Sequence, residues 1–246
     1  MPLRTRDDIF TEVLVRNNRT TTDTFITDAM LKSWFMEAHN WATSMYKWPF
    51  TEGRVQTTFA GGGGPNGDEY YFEGYKADSF RMVQIGGKRL MKLNFEDYQI
   101  LMEEEPAAND RVFSDFGRVM YVNPNIDCTG TLVAYGQYLP AIDITDESGT
   151  TVFSNYEEEG NEAIVEKMSF YLGQREAQLG VGTGGKVGGG AIAHNQLAQE
   201  TLDRLWKRIG DEQYNYKTHP DRGGMWQRFD VLKGRANNEM WRRDQF

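Results

Sequence analysis

The sequence predicts an α+β protein: a helical bundle formed by the N- and C-terminal helices, with an inserted small antiparallel β domain and an extended C-terminal arm. Three observations predict it. Apolar residues recur at helical spacing near both ends of the 246-residue chain. The spacing changes to alternation over residues 53–139, and no clean period of either kind follows residue 218. The expected boundaries are residues 1–52 and 156–217 for the helical bundle, 53–155 for the β domain and 218–246 for the arm.

Each element has a local reason. Residues 7–15 read as a short helix, with Thr5 or Asp7 as cap and Ile9, Val13 and Leu14 on one face. Residues 28–47 give the strongest signal. Thr27 is a good N-cap, and Leu31, Trp34, Ala38, Trp41, Met45 and Trp48 recur three and four apart before Pro49 stops the helix. Strands are expected at 54–59, 70–75, 80–85, 88–93, 118–122 and 131–138. Gly86-Gly87 marks a two-residue hairpin, and Asn94 caps a short helix over 95–104. Residues 140–155 read as an acidic loop, and helices resume over 157–179 and 191–214. The seven glycines among residues 180–190 form a flexible connection between those two.

Composition narrows the function. A net charge of -9 argues against a protein whose main task is gripping nucleic acid by phosphate neutralisation. The charge is uneven: residues 217–246 carry seven Lys/Arg against four Asp/Glu, so they hold +3 and leave -12 on the rest. A basic tail of this kind suits an acidic neighbour. Trp226 and Trp241 lie in it beside Arg228, Phe229, Arg242 and Arg243, where rings without a core of their own are candidate anchors on another chain. Cys128 is alone, which rules out an internal disulfide framework. The charged opening residues carry no secretory signal, and no apolar run is long enough to span a membrane.

Catalytic chemistry finds little support. Residues 180–186 fit Gly-x-x-x-x-Gly-Lys, but Val187 stands where a phosphate-binding loop needs Ser or Thr for Mg²⁺, and the segment follows a helix instead of a strand. His39, His194 and His219 have no metal spacing and read as structural or surface groups. Glu103-Glu104-Glu105 and Glu157-Glu158-Glu159 read as solvated helix ends. The Trp34, Trp41, Trp48 stripe reads as core. The expectation is a chain with no catalytic residue, no cofactor and no metal.

With those residues in view, the chain resembles the head-to-tail adaptor (connector) proteins of tailed bacteriophages. The resemblance is carried by a short helix, then a long helix ending in Tyr46-x-Trp48-Pro49-Phe50, then Tyr70-Tyr71-x-x-x-Tyr75 and a hairpin. Tyr121-x-x-Pro124, then Ala134-Tyr135-x-x-Tyr138-Leu139-Pro140, and two closing helices complete it over residues 5–217. The glycine linker at 180–190 and the tail depart from the pattern. The resemblance implies a structural virion protein in the neck between capsid and tail, made in the host cytoplasm. It implies a homo-oligomeric ring, commonly twelve-membered, that binds the portal protein and tail proteins and extends the DNA channel without binding DNA specifically. In such a ring the lumen is expected to be acidic, with Asp143, Asp146 and Glu147 as its candidates. The competing expectations are a tail completion or terminator protein, and a carbohydrate-binding module built on the aromatic β region.

Overall fold

A computed structural model describes residues 5–20, 25–61, 68–180 and 189–218. The chain opens with α1 (Arg6–Arg16). Thr5 caps it: its hydroxyl accepts from the Asp8 N–H at 3.1 Å while the Asp8 carboxylate accepts from the Thr5 N–H at 3.0 Å, a reciprocal box. α2 (Asp28–Met45) starts on Thr27, whose hydroxyl accepts from the Met30 N–H at 3.3 Å. At its other end Tyr46 turns to extended backbone and a 3₁₀ turn covers Pro49–Thr51. The Trp48 indole N–H donates back to the Ala42 carbonyl at 3.0 Å, satisfying one of the carbonyls that a helix end leaves open.

Seven strands follow among the described residues: β1 (Glu52–Thr58), β2 (Asp68–Tyr71), β3 (Met82–Ile85), β4 (Lys88–Leu93), β5 (Val112–Phe116), β6 (Val119–Val122) and β7 (Thr131–Gln137). α3 (Phe95–Glu103) lies between β4 and β5. The strands form one sheet in the order β1-β7-β3-β4-β5-β6-β2, curled into a half-barrel. Every pair is antiparallel except β4 and β5, which run parallel. A parallel pair needs a crossover, and α3 supplies it. The chain continues through α4 (Val152–Tyr156), α5 (Glu159–Gln178) and α6 (Gly189–Thr218).

This corrects the expected architecture. The protein is a mixed α/β fold built on a seven-stranded sheet, with six α-helices among the described residues, not a helical bundle carrying a small antiparallel β insertion. The physical reason is one strand. β5 reads Val-Phe-Ser-Asp-Phe, and its central Ser114 and Asp115 are both buried. Those two polar residues hide the alternation by which a strand is recognised. Yet β5 bridges β4 to β6, so it joins two small pieces into one continuous sheet. Residues 140–155 are not all loop either, since α4 forms there with Thr151 as its cap. The expected C-terminal arm lies outside the described residues.

Two cores hold the fold. One gathers where α1, α2, α5 and α6 meet, around Ile9, Phe35, Trp48, Ile164, Met168 and Leu172. The other fills the curl of the sheet with Val83, Ile85, Phe113, Met120, Val122 and Leu132. Each such side chain stabilises by roughly 1.5–3 kcal/mol on burial. α5 touches α1, α2, α4 and α6 and is buried on most sides, which is why its sequence lacks a single apolar stripe. Polar contacts tie the two cores together. The Thr51 hydroxyl donates to the Gln137 amide oxygen at 2.5 Å, and Lys76 Nζ donates to the Thr43 and Tyr46 carbonyls at 2.5 and 2.9 Å.

Candidate functional site

The loop from β7 to α4 brings together three of the residues that the sequence singled out. Asp143, Asp146 and Glu147 are all exposed there. One Asp143 carboxylate oxygen accepts from both the N–H and the hydroxyl of Thr145, at 2.8 and 2.6 Å. Asp146 does the same for Ser148, at 2.9 and 2.8 Å. Each aspartate therefore folds its own tight turn. The bonds from Thr145, first from its side chain and then from its backbone, hold the Asp143 carboxyl below the ordinary carboxylate range.

Beneath the loop lies Arg6, whose side chain is only 3 % exposed. Its Nη1 donates to the Ile144 carbonyl at 2.7 Å, and its Nη2 lies 3.8 Å from the Glu147 carboxylate. The Arg6 N–H donates to the Gly149 carbonyl at 2.8 Å, and Thr5 and Thr150 form an isolated bridge. Ile142 and Ile144 pack on the helical core. The outcome is a fixed, exposed display of negative charge seated on the start of α1. Such a surface can repel a phosphate backbone or meet a cationic partner. The anchoring role of Arg6 was not legible, because its acceptor is 138 residues away.

A second charged feature is a cleft of about 520 Å³ between α1, α5 and α6, lined by Arg16, Glu159, Glu162, Glu166, Leu197, Thr201, Arg204 and Arg208. Arg16 forks across it to Glu12, Glu162 and Glu166 at 2.6, 2.8 and 2.6 Å. Burial opposes the charged guanidinium, but these three carboxylates outweigh it and hold Arg16 above its ordinary range. The other oxygen of buried Glu166 lies 2.5 Å from His194 Nδ1. Arg208 holds Glu157 at 2.6 Å and Glu159 at 3.3 Å. Most of the cleft's charges are thus engaged with one another, Arg204 donating instead to the Thr201 hydroxyl at 3.2 Å, and its chemistry is to clamp three helices. One expectation changes here: Glu157 is held by a cation instead of standing free in solvent, whereas His194, tied to Glu166, has the structural role expected of it.

The remaining candidates are dispersed. Trp48 is fully buried, whereas Trp34 and Trp41 are only partly so, and Lys167 Nζ sits 4.7 Å above the Trp41 ring. Around Trp48 gather Phe50, Phe153 and Trp206, with Tyr46 stacked on Trp206 at 5.1 Å and Tyr156 on Phe50 at 5.2 Å. His39 is fully buried, the structural and not the surface alternative, and neither ring nitrogen has a well-formed hydrogen bond among the described residues. Trp226, Arg228, Phe229, Trp241, Arg242 and Arg243 lie outside the described residues, as do residues 181–188 of the glycine-rich motif. Among the described residues no group of three or more His, Cys, Asp or Glu is placed to hold a metal ion, and no helix is long and apolar enough to cross a membrane. No protein-family model matches the chain, and no curated protein matches it either.

Proposed function

We propose that the chain is a structural assembly protein, the head-to-tail adaptor of a tailed bacteriophage. In this reading, copies made in the host cytoplasm form a ring in the virion neck. The ring joins the portal protein to the tail proteins and extends the DNA channel, with neither catalysis nor cofactor.

The observation that carries the reading is the acidic loop. Asp143, Asp146 and Glu147 are exposed, and the loop that bears them is stiffened by its own turns and by buried Arg6. DNA that slides through a ring must not be held by it. Lysines and arginines at the wall would release counterions from the duplex and retain the phosphates. Fixed carboxylates repel the backbone, and that repulsion is screened only beyond about 8 Å at physiological salt. A chain of net charge -9 has acids to spare for such a wall. The order of elements around Tyr46-x-Trp48-Pro49-Phe50 adds support, since that turn is the centre of the aromatic cluster.

The test is an image of the assembled particle with this chain located, paired with a triple charge reversal. A particle in which the chain rings the channel below the portal, with carboxylates outnumbering Lys and Arg at the wall, is the expected result. Asp143→Lys, Asp146→Lys and Glu147→Lys together should slow packaging and ejection. A triple variant that packages and ejects at the normal rate would overturn the role of the loop, and a chain found elsewhere in the particle, or not at all, would overturn the adaptor.

A further inference from the structure

The sheet ends on β2, which pairs with β6 alone among the described residues. Register fixes what the last three strands display. Tyr71, Val119 and Phe116 form one row across β2, β6 and β5, and Glu69, Tyr121 and Ser114 form the next. The alternate residues Tyr70, Met120, Val122 and Phe113 turn the other way, into the sheet core. α3 packs against β5 and lays Phe95 on this outer face, its ring stacked on Phe116 at 4.4 Å and tilted against Tyr121 at 5.2 Å. Tyr71 is 59 % exposed and Phe116 57 %. A contiguous patch of bare rings marks an interaction site. Glu69 is exposed opposite Tyr121, and burial, and after it the Glu69 charge, raises the Tyr121 phenol above its ordinary range. Glu96 is exposed next to Phe95 in the first turn of α3. Neither glutamate has a cation partner among the described residues, and the cation of the β5–β6 turn is Arg118.

We propose that this face, built from Tyr71, Phe95, Phe116 and Tyr121 and rimmed by Glu69 and Glu96, receives the basic aromatic segment 219–246 of a second copy of the chain. The proposal rests on the ring reading and gives that ring its subunit contact. The chemistry of the two matches. The segment supplies Arg228, Arg242 and Arg243 beside Trp226, Phe229 and Trp241. A guanidinium lies flat on an aromatic ring and pairs with a carboxylate at its edge, so arginine suits a surface where bare rings stand next to Glu69 and Glu96. Trp and Arg are also the side chains that most often carry the energy of an interface. Charge agrees. Residues 217–246 hold +3 and the rest -12, so passing the segment to the next body brings opposite charges together between copies that otherwise repel. Reach agrees as well. The 28 residues of 219–246 can cover up to about 90 Å as extended backbone, against a radius of gyration of about 18 Å for a compact chain of this length. The segment and the face are different patches, so the contact repeats head to tail and closes into a ring when the rotation allows. It leaves the acidic loop at residues 143–147 free for the channel wall.

Two experiments test it on the full chain. Arg118→Cys, between Phe116 and Val119, and Gln227→Cys, between Trp226 and Arg228, are mixed as single variants and treated with a short bismaleimide, native Cys128 being buried. The expected product is a dimer of one variant with the other, in a yield that rises with protein concentration, and the doubly substituted chain should give a ladder. Absence of the mixed dimer overturns the contact. So does a doubly substituted chain that links only within itself at every concentration, which would seat the segment on its own body. In the second experiment, Glu69→Lys with Glu96→Lys on the Arg118→Cys chain should lower the yield of mixed dimer by about tenfold. Adding Arg228→Glu, Arg242→Glu and Arg243→Glu to the Gln227→Cys chain should restore it. Failure of the restoration in chains whose circular dichroism is unchanged overturns the proposal. Retention on immobilised polysaccharide that Tyr71→Ala with Phe116→Ala abolishes, without any mixed dimer, overturns it too and makes the face a glycan site. Neck rings in particles whose chains do not cross-link would sink the contact and leave the adaptor standing; the cross-linked ladder without neck rings would do the reverse.

Discussion

His39 and Asp115 are each sealed into one of the two halves of the fold, and their protonation acts in opposite directions. Burial pushes the His39 imidazole down to about 4 from 6.5, against a smaller pull from the Asn40 side chain. Stability from neutral His39 is complete above pH 6.5 and is lost as pH falls through 4. Burial pushes the Asp115 carboxyl up to about 6 from 3.8, despite the Phe80 N–H that it accepts at 2.6 Å and Lys92 at 3.8 Å. Stability from protonated Asp115 is complete below pH 3.8 and is lost as pH rises through 6. Each effect is worth about 3 kcal/mol over its window, so the pair nearly cancels between pH 4 and 6. Replacing one unmasks the other. Urea unfolding across that range should find Asp115→Asn losing stability as pH falls and His39→Leu gaining it; slopes of the same sign in both variants would contradict this account. Arg6 supplies a second prediction at this scale. Arg6→Met leaves the Ile144 carbonyl without its charged donor, at a cost of about 1–3 kcal/mol. Amide exchange over residues 144–149 should quicken while the Thr5–Asp8 cap holds; unchanged exchange would remove Arg6 as the anchor.

Elements meet at a few points that tolerate little change. Gly160, in the first turn of α5, lies against Phe153 of α4, and a Cβ there would come within 2.2 Å of the Phe153 ring. Alanine favours a helix by up to about 1 kcal/mol over glycine. Overpacking costs about 1–3 kcal/mol, so Gly160→Ala is expected to lower the melting temperature. A rise would mean that α4 is free to move away. Lys76 joins the sheet half to the end of α2 through two carbonyls, with burial, and after it Lys47, drawing its ammonium down to about 8. Lys76→Met should cost about 1–3 kcal/mol in urea unfolding, and no measurable loss would show the two halves to be held by their apolar contacts alone.

At this scale the sequence is uneven as a guide. α2 was legible because Thr27 and Pro49 bracket it, and the β3–β4 hairpin because Gly86 and Gly87 both take positive φ, 54° and 80°, as its turn demands. β5 was not, because buried Ser114 and Asp115 imitate a loop. The acidic loop was legible from composition, whereas its anchor and the Arg16–Glu166–His194 clamp depend on partners far away in the chain and leave no local mark.

For the whole molecule, charge sets the expected behaviour. A chain of net charge -9 repels its own copies, and that repulsion is relieved only by salt or by a template that gathers them. Light scattering should therefore find the purified chain as a monomer or small oligomer, and as a ring once a portal-type partner is added. A stable ring formed by the chain alone at low concentration would contradict this.

The central place of α5 also dictates an order of events at the ribosome. α1 and α2 are finished by Met45, but the helix that covers both starts only at Glu159. At about 5–20 residues per second, the apolar faces of the first two helices emerge roughly 6–23 seconds before their cover does. The sheet waits as well, since among the described residues β1 pairs with β7 alone and the partner of Glu52 there is Gln137. Nearly two thirds of the chain has been made by Glu159, and until then Leu31, Phe35 and Trp48 lack the helix that covers them. The nascent chain is thus an obvious client for a holding chaperone, and its yield in a cell should depend on translation speed across residues 46–158 more than on the stability of the finished fold.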